Sequence, residues 1–219
     1  SASGFAALTL AATAAAGLTL DAAALSALAR RGSGSASRSI PAGFTEWQMG
    51  QRASGEDSIA ITIAPPDHWD LVDVIAVLSA AHKATGSTEG HGLADTSPFQ
   101  GARVTGAPAR LTRCRAALLS RDFVAFADVV EEDAVAMHAV MMTSHPPLLY
   151  WEPLTVAILH AVPRWRAEGL PVCFTIDAGP NVHCLTLSAH VAEVEQRLRA
   201  LGVSQLLAAA PGGAARLIS

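Results

Sequence analysis

Two consecutive prolines, Pro65-Pro66, set the strongest limit on how this chain can fold. Proline has no backbone N–H and a fixed φ, so neither a helix nor a sheet ladder runs through the pair. A domain junction is expected there, dividing the chain into residues 1–66 and 67–219. Just before it, Ile59 to Pro65 (IAITIAP) alternates as a strand does. Just after it, WDLVDVIAVLSAAHK carries a near-continuous apolar run at Leu71, Val72, Val74, Ile75, Val77 and Leu78, expected as a buried strand. With 219 residues and 51% hydrophobic content, the chain can bury one large core or two small ones.

Around this junction the periodicities change repeatedly. FAALTLAATAAAG predicts a helix stopped by Gly17, and Asp21 is placed to cap DAAALSALARR. Phe5 to Leu20 is too short and too rich in Ala and Thr for a membrane span, and is expected as a buried helix. It also lacks the basic flank and cleavage pattern of a signal peptide. The chain opens at Ser1 directly on a helical pattern, so an N-terminal part is expected to be missing. Further on, Gln51 to Asp57 reads as a turn. Phe99 to Ser120, Asp122 to Met142 and Pro153 to Ala167 read as helices. The end of the chain reads as strand, helix from His190 to Leu201, and strand, with a Gly-rich hairpin turn at Pro211-Gly212-Gly213.

Composition narrows the function. A net charge of −4 with only 16% charged residues leaves no broad basic surface, which argues against nucleic acid as a partner. Cys114, Cys173 and Cys184 show no CxxC spacing and are odd in number, which fits reduced thiols in a cytoplasmic protein. The histidines form no metal-binding pattern, so no metal centre made of side chains is expected.

Three stretches have the residue types of an anion site. In RGSGSASRS, Gly32 and Gly34 allow backbone N–H groups near a ligand. Ser33, Ser35 and Ser37 add donors, and Arg38 adds a planar cationic fork. Such a run is also the composition of a solvated loop. Ser1 and Ser3, at the entry of the first helix, serve as caps or as phosphate contacts. Ala84 to Gly90 (ATGSTEG) is a second hydroxyl-rich loop. A different chemistry is offered by PVCFTIDAGPNVH, a strand that delivers Asp177 to a turn, where the residue is either a turn former or a functional carboxylate. His138, alone on an apolar helix face, is expected as a satisfied core residue, and Met137, Met141 and Met142 as packing.

These stretches carry a resemblance. GSGSASRS followed by Gly43-Phe44 and Glu46-Trp47 resembles the GSGSxCRS-x3-GF-x-EW pattern of the mevalonate diphosphate decarboxylases, a branch of the GHMP small-molecule kinase superfamily. SASGFAAL resembles the tail of that superfamily's second motif. Ser87 and Thr88 match hydroxyls of the family's KKxVSSTxG segment, RDFVAFA through His145-Pro146-Pro147 matches its RDF-x2-FA and PP stretch, and FTIDAGPN is close to its FTFDAGPN. The resemblance implies an α+β, GHMP kinase-like two-domain fold. Its parts would be a partial ribosomal S5 domain 2-like N-terminal portion (1–66) and a ferredoxin-like C-terminal domain (67–219). It further implies ATP with Mg²⁺, catalytic roles for Asp177 and Arg38, and substrate contacts from Ser33, Gly34, Ser35, Ala36, Ser37, Arg38, Ser87 and Thr88. Nucleotide contacts would come from Ser1 and Ser3, and the protein would be a cytoplasmic homodimer without membrane partners.

The implied reaction is ATP-dependent decarboxylation of mevalonate 5-diphosphate to isopentenyl diphosphate. Pro41, Glu89 and His91 depart from the family pattern. Glu89 and His91 keep the same reaction on mevalonate 5-phosphate open as an alternative. Phosphorylation without decarboxylation and a non-catalytic fragment are the others.

Overall fold

The computed structural model describes residues 2–79 and 87–218, with residues 87–89 as backbone only. The chain forms two units. One is Ser1–Trp69 together with Ala210–Ser219, and the other is Asp70–Ala209.

In the first unit, α1 (Ala2–Ala15) ends at Gly17, whose φ of +70° stops a helix without Cβ strain. Asp21 caps α2 (Ala22–Arg30) by accepting the Ala24 N–H at 2.8 Å. A 3₁₀ turn at Gly34–Ser39 leads into β1 (Phe44–Trp47), which pairs antiparallel with β2 (Ala60–Ala64), Trp47 opposite Ala60. The core is made of small residues: Ala6, Ala29 and Ala36, with Ile40. The expectation of a buried α1 does not hold, because only Ala6 and Thr13 are buried while Phe5 and Leu8 stay exposed. One narrow stripe of the helix meets α2 and the 3₁₀ turn.

Ser26, fully buried on α2, stitches this unit together. Its hydroxyl donates to the Ser37 carbonyl at 3.0 Å and accepts the Ala60 N–H at 2.8 Å. The C-terminal segment closes the unit differently from the hairpin expected of it. The Gly43 N–H donates to the Gly212 carbonyl at 2.9 Å and the Ala215 N–H to the Ile40 carbonyl at 3.0 Å. Residues 210–218 contain no strand, and they run beside residues 40–43.

The second unit is a four-stranded sheet with helices. Its strands are β3 (Leu71–Val77), β4 (Val172–Thr175), β5 (Val182–Leu187) and β6 (Gln205–Ala209), in spatial order β4-β5-β3-β6 with every neighbouring pair antiparallel. The helices are α3 (Ser87–Leu93), α4 (Gln100–Ser120), α5 (Phe123–Met142), α6 (Pro153–Ala167) and α7 (Val191–Ala200). With the third strand inserted between the second and the first, this is the ferredoxin-like split arrangement. The Ala84–Gly90 stretch expected as a loop lies partly on α3, which takes Ser87 to Gly90; Ala84, Thr85 and Gly86 lie outside the described residues.

The period of two decides which strand residues meet the helices. Val74 and Ala76 on β3, Val172 and Phe174 on β4, and Val182 and Cys184 on β5 form one core with Ile158, Val162 and Trp165 of α6 and Val194 and Leu198 of α7. Ile158 has no exposure, and truncating such a side chain to Ala costs about 2–5 kcal/mol. On α5, Asp122 caps the helix through the Ala125 N–H at 3.1 Å. α5 also packs against β4 and lies beside α4, where Arg110 of α4 donates to Asp133 of α5 at 2.8 Å.

β4 lies at one edge of the sheet, yet two of its backbone groups are bonded by helix side chains. Phe174 N–H donates to Glu131 of α5 at 3.3 Å, and the Val172 carbonyl accepts from Arg166 of α6 at 2.8 Å. The two side chains join in a bidentate pair, with Nη1 to Oε1 at 2.7 Å and Nη2 to Oε2 at 2.8 Å. An Arg–carboxylate fork thus occupies the edge that another strand would otherwise extend. Among the described residues, no helix is long and apolar enough to cross a membrane.

Candidate functional site

In the first unit, the turn after α2 sorts the expected ligand residues into two layers. Ala36 and Ser37 are fully buried, Ala36 in the alanine core, and Ser37 Oγ donates to the Gly34 carbonyl at 2.8 Å. Their side chains hold the turn from beneath. Ser35 and Arg38 are exposed and Ser33 half-buried, and Arg38 Nη2 donates to Ser35 Oγ at 3.3 Å. The structure therefore brings Ser35 and Arg38 together at the surface.

The two glycines serve close approach, and neither has positive φ. A Cβ at Gly34 would lie 2.9 Å from Cη2 of Trp47, and one at Gly32 would lie 2.3 Å from Cδ1 of Phe5. Trp47 packs against Gly34, lies 6.0 Å from the Arg38 guanidinium carbon, and is held by Nε1 donating to Ser58 Oγ at 3.1 Å. Trp47, in the Glu-Trp pair that follows the serine run, thus supplies a platform under Arg38. Thr45 adds a long bond from its hydroxyl to the Arg38 carbonyl at 3.4 Å.

In the second unit, Ile176 is buried just beyond the end of β4 and the next residue, Asp177, is exposed. The turn that follows is fixed from two elements. Thr155 Oγ1, fully buried on α6, donates to the Pro180 carbonyl at 2.8 Å. Asn181 Oδ1 accepts the Leu78 N–H at 2.8 Å and the Ser79 N–H at 3.2 Å, just past the end of β3. Proline leaves its carbonyl as the backbone's polar handle, and that handle is used.

Two histidines feel Asp177. His183 Nδ1 lies 2.7 Å from Asp73 Oδ2, a diagonal pair across β5 and β3. The Asp73 hydrogen bond raises its pKa against the opposing cost of burial, with added pulls from the charges of Asp73 and Asp177. His138 on α5 behaves oppositely. It is 1% exposed, packed 5.1 Å from the Trp151 ring and 6.1 Å from the Tyr150 ring, and burial lowers its pKa despite opposing pulls from the Ile176 and Asp177 backbone and the Asp177 carboxylate. The expectation of a core residue holds; among the described residues neither ring nitrogen has a partner in good hydrogen-bond geometry, and the Ile176 and Asp177 backbone is the nearest polar support. Met141 packs in the small cluster with Ala94, Val140 and Leu148.

For the remaining candidates, Ser3 lies exposed in the first turn of α1, Ser87 and Thr88 begin α3, and Ser1 lies outside the described residues. Among the described residues no group of three or more His, Cys, Asp or Glu is arranged to hold a metal ion. Sequence reasoning passed over Thr155 and the partners of Asn181. The Asn lay inside a recognised motif, but a threonine one turn into a helix gives no signal of a bond to a residue 25 positions on.

Two family models match the chain. One, described as the mevalonate 5-diphosphate decarboxylase C-terminal domain, covers residues 73–206, and the other, the diphosphomevalonate decarboxylase-like N-terminal domain, covers residues 1–60. A human protein named diphosphomevalonate decarboxylase is 43% identical over 174 residues, 77% of this chain and 44% of that protein. One of the same name from Ganoderma lucidum is 38% identical over 203 residues, 89% of this chain and 51% of that protein. A solved chain described as MDDEF in complex with MVAPP, AMPPCP and magnesium has a TM-score of 0.88 at 33% identity, covering 97% of this chain and 65% of that one. The chain spans about half the length of the curated relatives it matches.

Proposed function

The chain belongs to the mevalonate 5-diphosphate decarboxylase family, with its α+β GHMP kinase-like fold, and from that premise we propose that the whole protein converts mevalonate 5-diphosphate to isopentenyl diphosphate with ATP, releasing ADP, phosphate and CO₂. The observation that carries this reading is the presentation of Asp177, an exposed carboxylate on a turn whose backbone is fixed at Pro180 and beyond β3. A reaction of this class needs positioned oxygens and local charge more than covalent groups.

In this reading Asp177 lies against the tertiary hydroxyl of the substrate, as base or as the negative charge that steadies positive charge building at that carbon. Arg38, beside Ser35 and over Trp47, orients the substrate carboxylate or phosphate, with Ser33, Ser35 and Thr88 as further contacts. Ser3, in the first turn of the 14-residue α1, suits an anion, because unpaired N–H groups and the helix dipole favour one there, and Ser1 joins it as the family resemblance implies. When bound, ATP would supply the phosphoryl group that makes the hydroxyl a leaving group, and Mg²⁺ would neutralise its phosphate oxygens. Mg²⁺, a hard cation that keeps several waters, would be held mainly by those oxygens and by water. The proposal extends to a cytoplasmic homodimer, as the family resemblance implies, checked by sedimentation and cell fractionation.

The test is ATP-dependent CO₂ release by the complete gene product on mevalonate, its 5-phosphate and its 5-diphosphate in parallel, with ADP followed. Release from the diphosphate alone is expected. Release from the monophosphate alone transfers the reading to that substrate and makes Glu89 and His91 the first residues to exchange. ADP without CO₂ identifies a kinase, and neither product overturns the catalytic reading.

A further inference from the structure

In the turn 177–181 an exposed acidic group follows directly on a buried strand, and the chain beyond it is held by side chains from elsewhere. Its far end is anchored twice. Asn181 uses one carboxamide oxygen to satisfy two backbone N–H groups just past the end of β3, at 2.8 and 3.2 Å, across more than one hundred residues of sequence. Thr155 reaches the Pro180 carbonyl at 2.8 Å with a hydroxyl that has no exposure.

That hydroxyl is itself oriented. It accepts the Glu152 backbone N–H at 3.2 Å at the start of α6, which leaves its single proton for Pro180. Strand β4, which leads into the turn, is fixed independently by the Glu131–Arg166 fork. Nothing in this set touches the Asp177 carboxylate. The bonds hold the segment that carries it, at the Pro180 carbonyl, through the Asn181 side chain and at β4, and bonds that set only position in a rigid environment work through geometry.

We propose that Thr155 and Asn181 are positioning residues for Asp177: their bonds to Pro180, Leu78 and Ser79 hold the 177–181 turn in the conformation that aims the carboxylate, so loss of either bond lowers turnover without weakening substrate binding. This rests on Asp177 being the reacting carboxylate, as proposed above. A carboxylate displaced by a fraction of an ångström to an ångström loses about 10- to 100-fold in rate, because the interaction is used in the transition state.

The experiment compares wild type, Thr155→Val, Thr155→Ser, Asn181→Ala and Asp177→Asn in the complete gene product, with CO₂ release from mevalonate 5-diphosphate and ATP, and thermal unfolding, as readouts. Thr155→Val keeps the shape of the side chain without the hydroxyl. It is expected to lower kcat about 10- to 100-fold with KM for the diphosphate within about 2-fold, and Thr155→Ser to return kcat to within about 3-fold of wild type.

A Thr155→Val protein that melts earlier but turns over at the wild-type rate would show a purely structural threonine and overturn the proposal. So would a raised KM with unchanged kcat. Should Thr155→Val fail to fold, Asn181→Ala asks the same question from the other anchor, and unchanged kcat there is equally fatal. An active Asp177→Asn enzyme refutes the underlying reading instead, and a dead one beside a normal Thr155→Val refutes only the positioning role.

Discussion

Replacing Glu131 with Ala is expected to loosen the edge of the second unit's sheet by an amount set by three bonds. The change removes both arms of the fork to Arg166, at 2.7 and 2.8 Å, and the acceptor of the Phe174 N–H at 3.3 Å. Breaking a fully buried ion pair from one side costs about 3–5 kcal/mol, and an exposed pair contributes about 0–1. The side chains here are 22% and 14% exposed, so the cost falls between, at about 2–3 kcal/mol. Arg166 keeps one bond, to the Val172 carbonyl, and its pKa, raised chiefly by the Glu131 hydrogen bond, returns toward its ordinary value.

Amide hydrogen exchange of the β4 peptide is the direct assay. At tenfold for each 1.4 kcal/mol, exchange of Val172–Thr175 should accelerate roughly 30- to 150-fold, with α1 and α2 unchanged as internal controls. Adding Arg166→Met should recover part of the loss, since the stranded cation goes with its partner. Acceleration below about 3-fold, or strictly additive effects of the two changes, would refute the argument that the fork caps the edge strand.

Asp177→Asn is expected to abolish CO₂ release while substrate binding persists by calorimetry; a tenth of the wild-type rate removes Asp177 from its role. Arg38→Lys should lose most activity because a point charge cannot reproduce a planar fork, and unchanged kinetics place Arg38 outside the site. His183 is raised above its ordinary value by Asp73, so its stabilising contribution is complete below the unfolded value of about 6.5 and is lost as pH rises through the higher folded value. The stability gap between wild type and His183→Gln should therefore narrow from pH 6 to pH 9 in urea titrations. His138, lowered by burial, carries the opposite sign, and its cost grows as pH falls below about 6.5. Ser26→Ala strands the Ala60 N–H in a fully buried place and should cost about 1–3 kcal/mol in urea denaturation; a smaller change means that the backbone finds another partner.

What the sequence made legible is what local chemistry decides. Asp21 and Gly17 bound their helices where cap and stop residues must be, and the extents of α4, α5 and α6 follow from apolar spacing. Asp177 at the end of a strand and the exposed Ser35 and Arg38 were visible as motifs. What was not legible depends on partners far along the chain. Asp73 and His183 are 110 residues apart, and Glu131 and Arg166 are 35 apart on different helices. The start of α3, Ser87 to Gly90, was read as part of a loop because its stretch is rich in Gly, Ser and Thr, and Gly90 disfavours a helix. The structure offers a tertiary reason for that glycine, since a Cβ at Gly90 would come within 3.1 Å of the Tyr150 hydroxyl. The burial of Ala36 and Ser37 was hidden for a related reason: a serine-rich run gives no cue to which of its members face inward.

The C-terminal segment beside residues 40–43 has a consequence for the order of events during synthesis. The first unit is closed by the bonds Gly43 to Gly212 and Ala215 to Ile40, whose later halves are translated after all of Asp70–Ala209. At about 5–20 residues per second, Gly43 waits roughly 10–30 s for its partner. The nested unit, contiguous in sequence, has every strand of its sheet by then. A growing chain therefore completes the guest before the host, and the alanine-rich first unit spends that interval unlatched, its narrow core dependent on a strip of chain the ribosome has yet to make.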